Sequence, residues 1–175
     1  MKKLFFAIYP DTTTRKQLVE LAMPLAVSGK ATTPQNIHLT LAFIGMADTR
    51  YQECLINKAS RLSSCPPFTL TIDQFGYFSK AHILWLGSHQ PAEELLKLQS
   101  DLVSIIQPCG FTPEPRPFAP HITVARKFHG QVSMQLEKTI EINIDSFSLM
   151  ESVSDHSGVH YLELQRFGFT MRWNC

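Results

Sequence analysis

The chain has 175 residues, 44% of them hydrophobic and 18% charged, with a formal net charge of +1. That composition predicts a soluble globular protein, one domain or two small lobes over a common core. It excludes a basic surface that grips a long duplex by counterion release, and no apolar run is long enough to span a bilayer.

The run Leu4-Phe5-Phe6-Ala7-Ile8-Tyr9 predicts a buried first strand. It is too short for the apolar stretch of a signal peptide, and Pro10-Asp11 follows without a small-residue cleavage site. Thr13 or Thr14 can cap a helix with the inward stripe Leu18, Leu21, Ala22 and Leu25, ended or kinked by Pro24. Residues 37–44 predict a strand. Asp48 can cap a second helix that turns Tyr51, Leu55, Ala59 and Leu62 inward. Over 68–75, Phe68, Leu70 and Ile72 alternate with Thr69, Thr71 and Asp73, a strand with one wet face. Residues 76–80 predict a hairpin connection to a strand at 82–87.

Pro91 suits the first turn of a third helix, with Glu93 and Glu94 placed for its dipole and Leu95, Leu98, Leu102, Ile105 and Ile106 facing inward. Pro108, Pro113, Pro115, Pro117 and Pro120 predict a stiff, extended approach to His121, because each proline fixes its own φ and biases its predecessor away from helix. Residues 122–126, 139–150, 159–165 and 169–173 predict later strands. Strands and helices mix without strict alternation, so the fold class is α+β with mainly antiparallel sheet.

One phrase occurs twice. His38-Leu39-Thr40-Leu41-Ala42 is echoed by His121-Ile122-Thr123-Val124-Ala125. With 7 His and 13 Thr in 175 residues, chance expects roughly 0.5 His-x-Thr triplets, and the shared apolar positions make the echo rarer still. Alternation of this kind is the mark of a half-buried strand, so each copy presents an imidazole and a hydroxyl on one face. Two such faces opposed would set two proton-transfer groups around one reacting atom, the arrangement an in-line displacement at phosphorus needs. The copies lie 83 residues apart, near half the chain length, which predicts two lobes that each lend one strand to a shared cleft.

These residues resemble the 2H phosphoesterase superfamily, which is defined by two His-x-Thr/Ser motifs, and within it the bacterial RNA 2′,3′-cyclic phosphodiesterase family, also called 2′-5′ RNA ligase. The likeness runs from Leu4-Phe5-Phe6-Ala7-Ile8 through both motifs, Asn36–Gly45 and Phe118–Arg126, and Ile83-Leu84-Trp85-Leu86-Gly87. It continues to Ser148-Leu149-Met150-Glu151-Ser152, Gly158 and Tyr161-Leu162-Glu163-Leu164. Arg166-Phe167 departs from a more usual Trp-Pro-like ending. The resemblance implies a single bilobal domain over 1–175, with two mainly antiparallel sheets related by a pseudo-two-fold, flanking helices and a central metal-free cleft.

It also implies hydrolysis of 2′,3′-cyclic phosphate at RNA 3′ ends or on nucleotides to a 2′-phosphate, with His121 as base and His38 as acid. Imidazole suits both roles because its pKa of about 6.5 leaves both forms accessible near neutrality. Thr40 and Thr123 can donate hydrogen bonds to the non-bridging oxygens. By the same resemblance Phe43 and Arg126, each five residues after a motif histidine, contact nucleobase and phosphate. Strict alternation would put both on the opposite face, unless a bulge or a strand end intervenes. His82, His89, His129, His156 and His160 lack the motif and read as structural or exposed, and Trp85 reads as core.

Cys54, Cys65, Cys109 and Cys175 form no C-x-x-C pair, which predicts free thiols in a reducing cytosol. No metal, no cofactor, no membrane and a monomer are expected. Two alternatives use the same residues: 2′-5′ RNA ligation by the reverse reaction, and a non-catalytic RNA-end or nucleotide binder.

Overall fold

The structure, a computed structural model, describes residues 1–130, 132, 134–156 and 158–170. Among them the elements run β1 (Lys2–Ile8), α1 (Thr12–Ala22), β2 (Lys30–Ala31), β3 (Leu39–Ala47), α2 (Thr49–Ala59), β4 (Phe68–Phe78), β5 (Ile83–Gly87), α3 (Glu93–Ile106), β6 (Ile122–Arg126), β7 (Met134–Ile144), β8 (Ser146–Asp155) and β9 (Gly158–Gly168). The pairings are antiparallel, in the order β7-β4-β5-β6-β3-β1-β8-β9, with the short β2 beside β6.

The two expected sheets are thus halves of one. β7-β4-β5-β6 and β3-β1-β8-β9 meet through one pair, Leu39 with Ile122. The connectivity repeats: β1-α1-β3 in one half answers β5-α3-β6 in the other, and each unit ends on the innermost strand.

The helices cover one face of this sheet. Leu4, Phe6 and Ile8 of β1 point to that face and join Leu18, Leu55, Leu95, Leu98 and Leu102 in the main core. Burying each such side chain stabilises the fold by roughly 1.5–3 kcal/mol before entropy is counted. The alternate residues Phe5 and Ala7 point the other way and form a smaller cluster with Met150, flanked by Tyr9 and Tyr161. That second face is the floor of the cleft.

Several expectations change in detail. The cap of α1 is Asp11, not Thr13 or Thr14: its carboxylate accepts from Thr13 N (2.8 Å) and Thr14 N (3.0 Å). The Thr14 hydroxyl and these amides hold the Asp11 carboxyl below its ordinary pKa. Leu25 falls beyond the helix, which stops before Pro24. Asp48 caps α2 as expected, accepting from Tyr51 N at 2.8 Å. β4 runs on to Phe78, so the hairpin turn is later.

The strand expected at 139–150 is two strands broken at Asp145, because β7 lies at the outer edge of one half and β8 inside the other. Phe169 and Thr170 are not in a strand; their amides donate to Asp145 O and Ser63 O. The rest of the strand expected at 169–173 lies outside the described residues.

The thiol expectation is overturned for two cysteines. Cys54 of α2 and Cys109, just past α3, form a disulfide across 55 residues of sequence, with Cα atoms 5.8 Å apart. Only the packing of α2 on α3 brings them together, so spacing could not reveal the pair. A formed disulfide removes the thiol argument for a reducing compartment. Cys65 is a free thiol, and Cys175 lies outside the described residues. Among the described residues no helix is long and apolar enough to cross a membrane.

Candidate active site

Leu39 and Ile122 pair across the seam and are buried on the core side. Their neighbours in each strand therefore face the cleft. Extending the register by one residue either way sets His38 across from Thr123 and Thr40 across from His121. All four are half-buried. The single seam pair thus brings both His-x-Thr motifs to one face, head to tail.

Phe43 and Arg126 join them through a bulge in each strand. In β3, Ala42 pairs with Phe6 and Thr40 with Ala7, so Leu41 is the extra residue. In β6, Ala125 pairs with Leu84 and Thr123 with Trp85, so Val124 is the extra residue. Both bulges lie three residues after the motif histidine, and each leaves two successive buried residues, Leu41-Ala42 and Val124-Ala125. A bulge reverses the facing of the residues that follow it until the next irregularity, which in β3 comes at Ile44, after Phe43. Phe43, 49% exposed, and Arg126 then fall on the face of the histidines, and both line the same small pocket.

The imidazoles are oriented alike. His38 Nδ1 lies 2.7 Å from Asn36 O, and His121 Nδ1 lies 2.8 Å from Ala119 O. A carbonyl only accepts, so Nδ1 carries the hydrogen in each ring and, in the neutral imidazole, Nε2 keeps its lone pair. Burial, opposed by the Asn36 carbonyl and reinforced by the Arg126 and His121 charges, pushes the His38 pKa down to about 4. His121 is also lowered, first by burial and then by Arg126, against the Ala119 carbonyl.

Their surroundings differ. His38 stands edge-on to Tyr161, ring centroids 4.7 Å apart, and tilted over Phe5 at 5.0 Å. With Lys3, Thr40, Phe43, Arg126 and Ser152 these residues line a pocket of about 230 Å³. His121 stands edge-on to Phe78 at 4.9 Å. It opens on a groove of about 960 Å³ that carries Tyr77, Phe78, Phe111 and Phe118.

Trp85 is not core as expected. It pairs with Thr123 on the cleft side and lies over Gly76, where a Cβ would come within 2.0 Å of its ring. Lys3, Phe5, Ser152, Tyr161 and Phe78 were missed from sequence because strand pairing, not local pattern, delivers them. The other five histidines are exposed where described. Among the described residues no three of His, Cys, Asp and Glu converge as metal ligands.

Residues 12–156 match the family model described as the 2′-5′ RNA ligase superfamily. The RNA 2′,3′-cyclic phosphodiesterase of Escherichia coli (strain K12) is 30% identical over 172 residues, covering 97% of each chain. A crystal structure described as a phosphoesterase superposes with a TM-score of 0.90 at 30% identity, over 97% of this chain and 99% of that one. The E. coli LigT protein complexed with 3′-AMP superposes with a TM-score of 0.86 at 30% identity, with the same coverage. The family match and these relatives agree over nearly the whole length, and this chain belongs to the 2′-5′ RNA ligase superfamily.

Proposed function

We propose that this protein is an RNA 2′,3′-cyclic phosphodiesterase that opens the cyclic phosphate to a 2′-phosphate with two histidines and no metal. The observation that carries the reading is the pair of imidazoles with Nδ1 tied to a backbone carbonyl and Nε2 left for the cleft. Water attacks phosphorus as one Nε2 takes its proton. The P–O3′ bond breaks on the opposite side, and O3′ leaves with the proton carried by the other Nε2. Such positioned proton transfer contributes about 10²–10⁴-fold. Thr40 and Thr123 donate to the non-bridging oxygens, the Arg126 guanidinium pairs with the phosphate, and the Phe43 ring meets the nucleobase. The name of the E. coli relative and the 3′-AMP complex of E. coli LigT support this substrate class.

The direct test is incubation with a nucleoside 2′,3′-cyclic phosphate in excess EDTA, followed by identification of the product. Full turnover to the 2′-phosphate is expected. Activity lost to chelation and restored by Mg²⁺ or Zn²⁺ refutes the metal-free mechanism, and a 3′-phosphate product reverses the substrate's orientation.

The roles of the two histidines admit two readings. Family resemblance makes His121 the base and His38 the acid. The deeper depression of His38 favours the reverse, because the more desolvated ring is neutral over more of the pH range. A nitrophenyl phosphodiester decides, since its leaving group departs without a proton. The variant that lacks the acid recovers most of its loss on that substrate, whereas the variant that lacks the base does not.

A further inference from the structure

We propose that Lys3, Ser152 and Tyr161 form a second anion subsite, which takes the 5′-phosphate of the nucleotide whose cyclic phosphate reacts between His38 and His121. The inference rests on the function proposed above and adds what the enzyme reads beyond the reacting phosphate.

Strand register builds the subsite. Lys3 of β1 pairs directly with Ser152 of β8, and Ser152 pairs directly with Tyr161 of β9. Directly opposed residues share a face, so Lys3, Ser152 and Tyr161 stand in one row across three strands on the cleft side. All three line the small pocket with His38 and Arg126. The neighbouring lysine shows the contrast: Lys2, on the other face, is bound by Glu151 at 2.9 Å. Lys3 has no carboxylate partner among the described residues, and no carboxylate lines this pocket. Its Nζ instead rests 5.5 Å from the centroid of the Phe43 ring, the residue that marks the cleft wall.

The row also stands at a useful distance. Ala7 of β1 pairs with Thr40, and Lys3 lies four residues along the same strand, about 13 Å between Cα positions. The lysine arm spans part of that gap and ends over Phe43. Tyr161 bridges the rest, because its ring packs edge-on against His38. A phosphate at this row is therefore separate from the one at the histidines but within the same small pocket. In an RNA terminus the next phosphate along the chain is the 5′-phosphodiester of the terminal nucleotide. A nucleoside cyclic phosphate without it leaves the row empty, and a single unneutralised cation remains beside the site.

The test compares two substrates that differ only there: a nucleoside 2′,3′-cyclic phosphate and its 5′-phosphorylated form. Hydrogen bonds to a charged group predict a kcat/KM preference of about tenfold for the 5′-phosphorylated compound. Lys3→Ala collapses that ratio toward one, Lys3→Arg keeps it, and Ser152→Ala reduces it in part. A wild-type ratio near one, or a ratio that survives Lys3→Ala, overturns the subsite. Calorimetric binding of a nucleoside 3′,5′-bisphosphate against the 3′-monophosphate is the second arm. If neither cyclic compound is hydrolysed, the proposed reaction fails. The subsite then stands on a bisphosphate preference that Lys3→Ala abolishes, and falls on equal affinities.

Discussion

The two motif strands share the backbone devices that place their motifs and differ in what surrounds them. β3 and β6 each open directly after their motif histidine, with a bulge three residues beyond it and an Nδ1 bond from that histidine to the carbonyl two residues back. Repetition of the backbone orients the two imidazoles alike. The side chains around them set how far each ring's pKa is lowered. His38 is enclosed by Phe5 and Tyr161 beside two cations, whereas His121 meets Phe78 at the mouth of a wide aromatic groove. Two equal histidines would compete for one proton with no preference. In the proposed mechanism unequal burial breaks that tie, because general acid–base catalysis needs one base and one acid.

The largest expected effect breaks the pair outright. His38→Ala and His121→Ala each lower kcat/KM by about 10²–10⁴ while the protein stays folded. The double variant loses far less than the product of the two, because both histidines act on one transition state. Steady-state kinetics with circular dichroism as the folding control checks this. Near-wild-type turnover in either single variant removes that histidine from the mechanism.

A smaller effect asks whether the hydroxyls are as equal as the backbone. Thr40→Val and Thr123→Val keep shape and remove a donor, which costs on the order of 2–4 kcal/mol of barrier each. Equal losses mean that the pseudo-symmetry extends to the phosphate oxygens. Unequal losses mean that the phosphate sits nearer one lobe. No loss at either threonine sinks the proposed role.

The motif pair, the three helices and most of the strands are legible in the sequence because each is a local pattern: apolar periodicity, a capping aspartate, a histidine two residues from a threonine. What failed to show depends mostly on partners distant in sequence, and the α1 cap is a local exception. Asp11 outcompetes Thr13 and Thr14 as a cap because its carboxylate reaches two amides at once. The break at Asp145 is invisible because both flanking segments are equally good strands. The Cys54–Cys109 bond depends on helix packing. The bulges at Leu41 and Val124 are the instructive case. Alternation alone puts Phe43 and Arg126 on the wrong face, and only the pairing partners reveal the inserted residue. Lys3, Phe5, Ser152 and Tyr161 reach the cleft by register with β1 and β8, which no local pattern encodes.

The pH dependence carries the comparison into rate and stability. In the free enzyme the competent form holds one proton between the two histidines, so kcat/KM is bell-shaped. Its acid limb lies near the His38 value of about 4, and its alkaline limb lies below the ordinary imidazole value because His121 is lowered too. Arg126→Gln removes a charge that lowers both, so both limbs move up, although phosphate binding weakens as well. A profile that rises steadily into alkali contradicts a histidine acid.

Stability reads the same asymmetry without substrate. The unfolded chain protonates His38 near pH 6.5, but the folded chain resists until about 4. Between those values the unfolded state binds more protons, so stability falls as pH falls through the window and is fully present above it. The upper bound for His38 is about 3 kcal/mol, and solvent at this half-buried ring reduces it. Urea unfolding at several pH values checks the sign and the source. His38→Gln flattens the slope across this window more than His121→Gln does, because His38 is the more enclosed ring. Equal flattening by the two variants would mean that the pockets differ in shape but not in their effect on a proton.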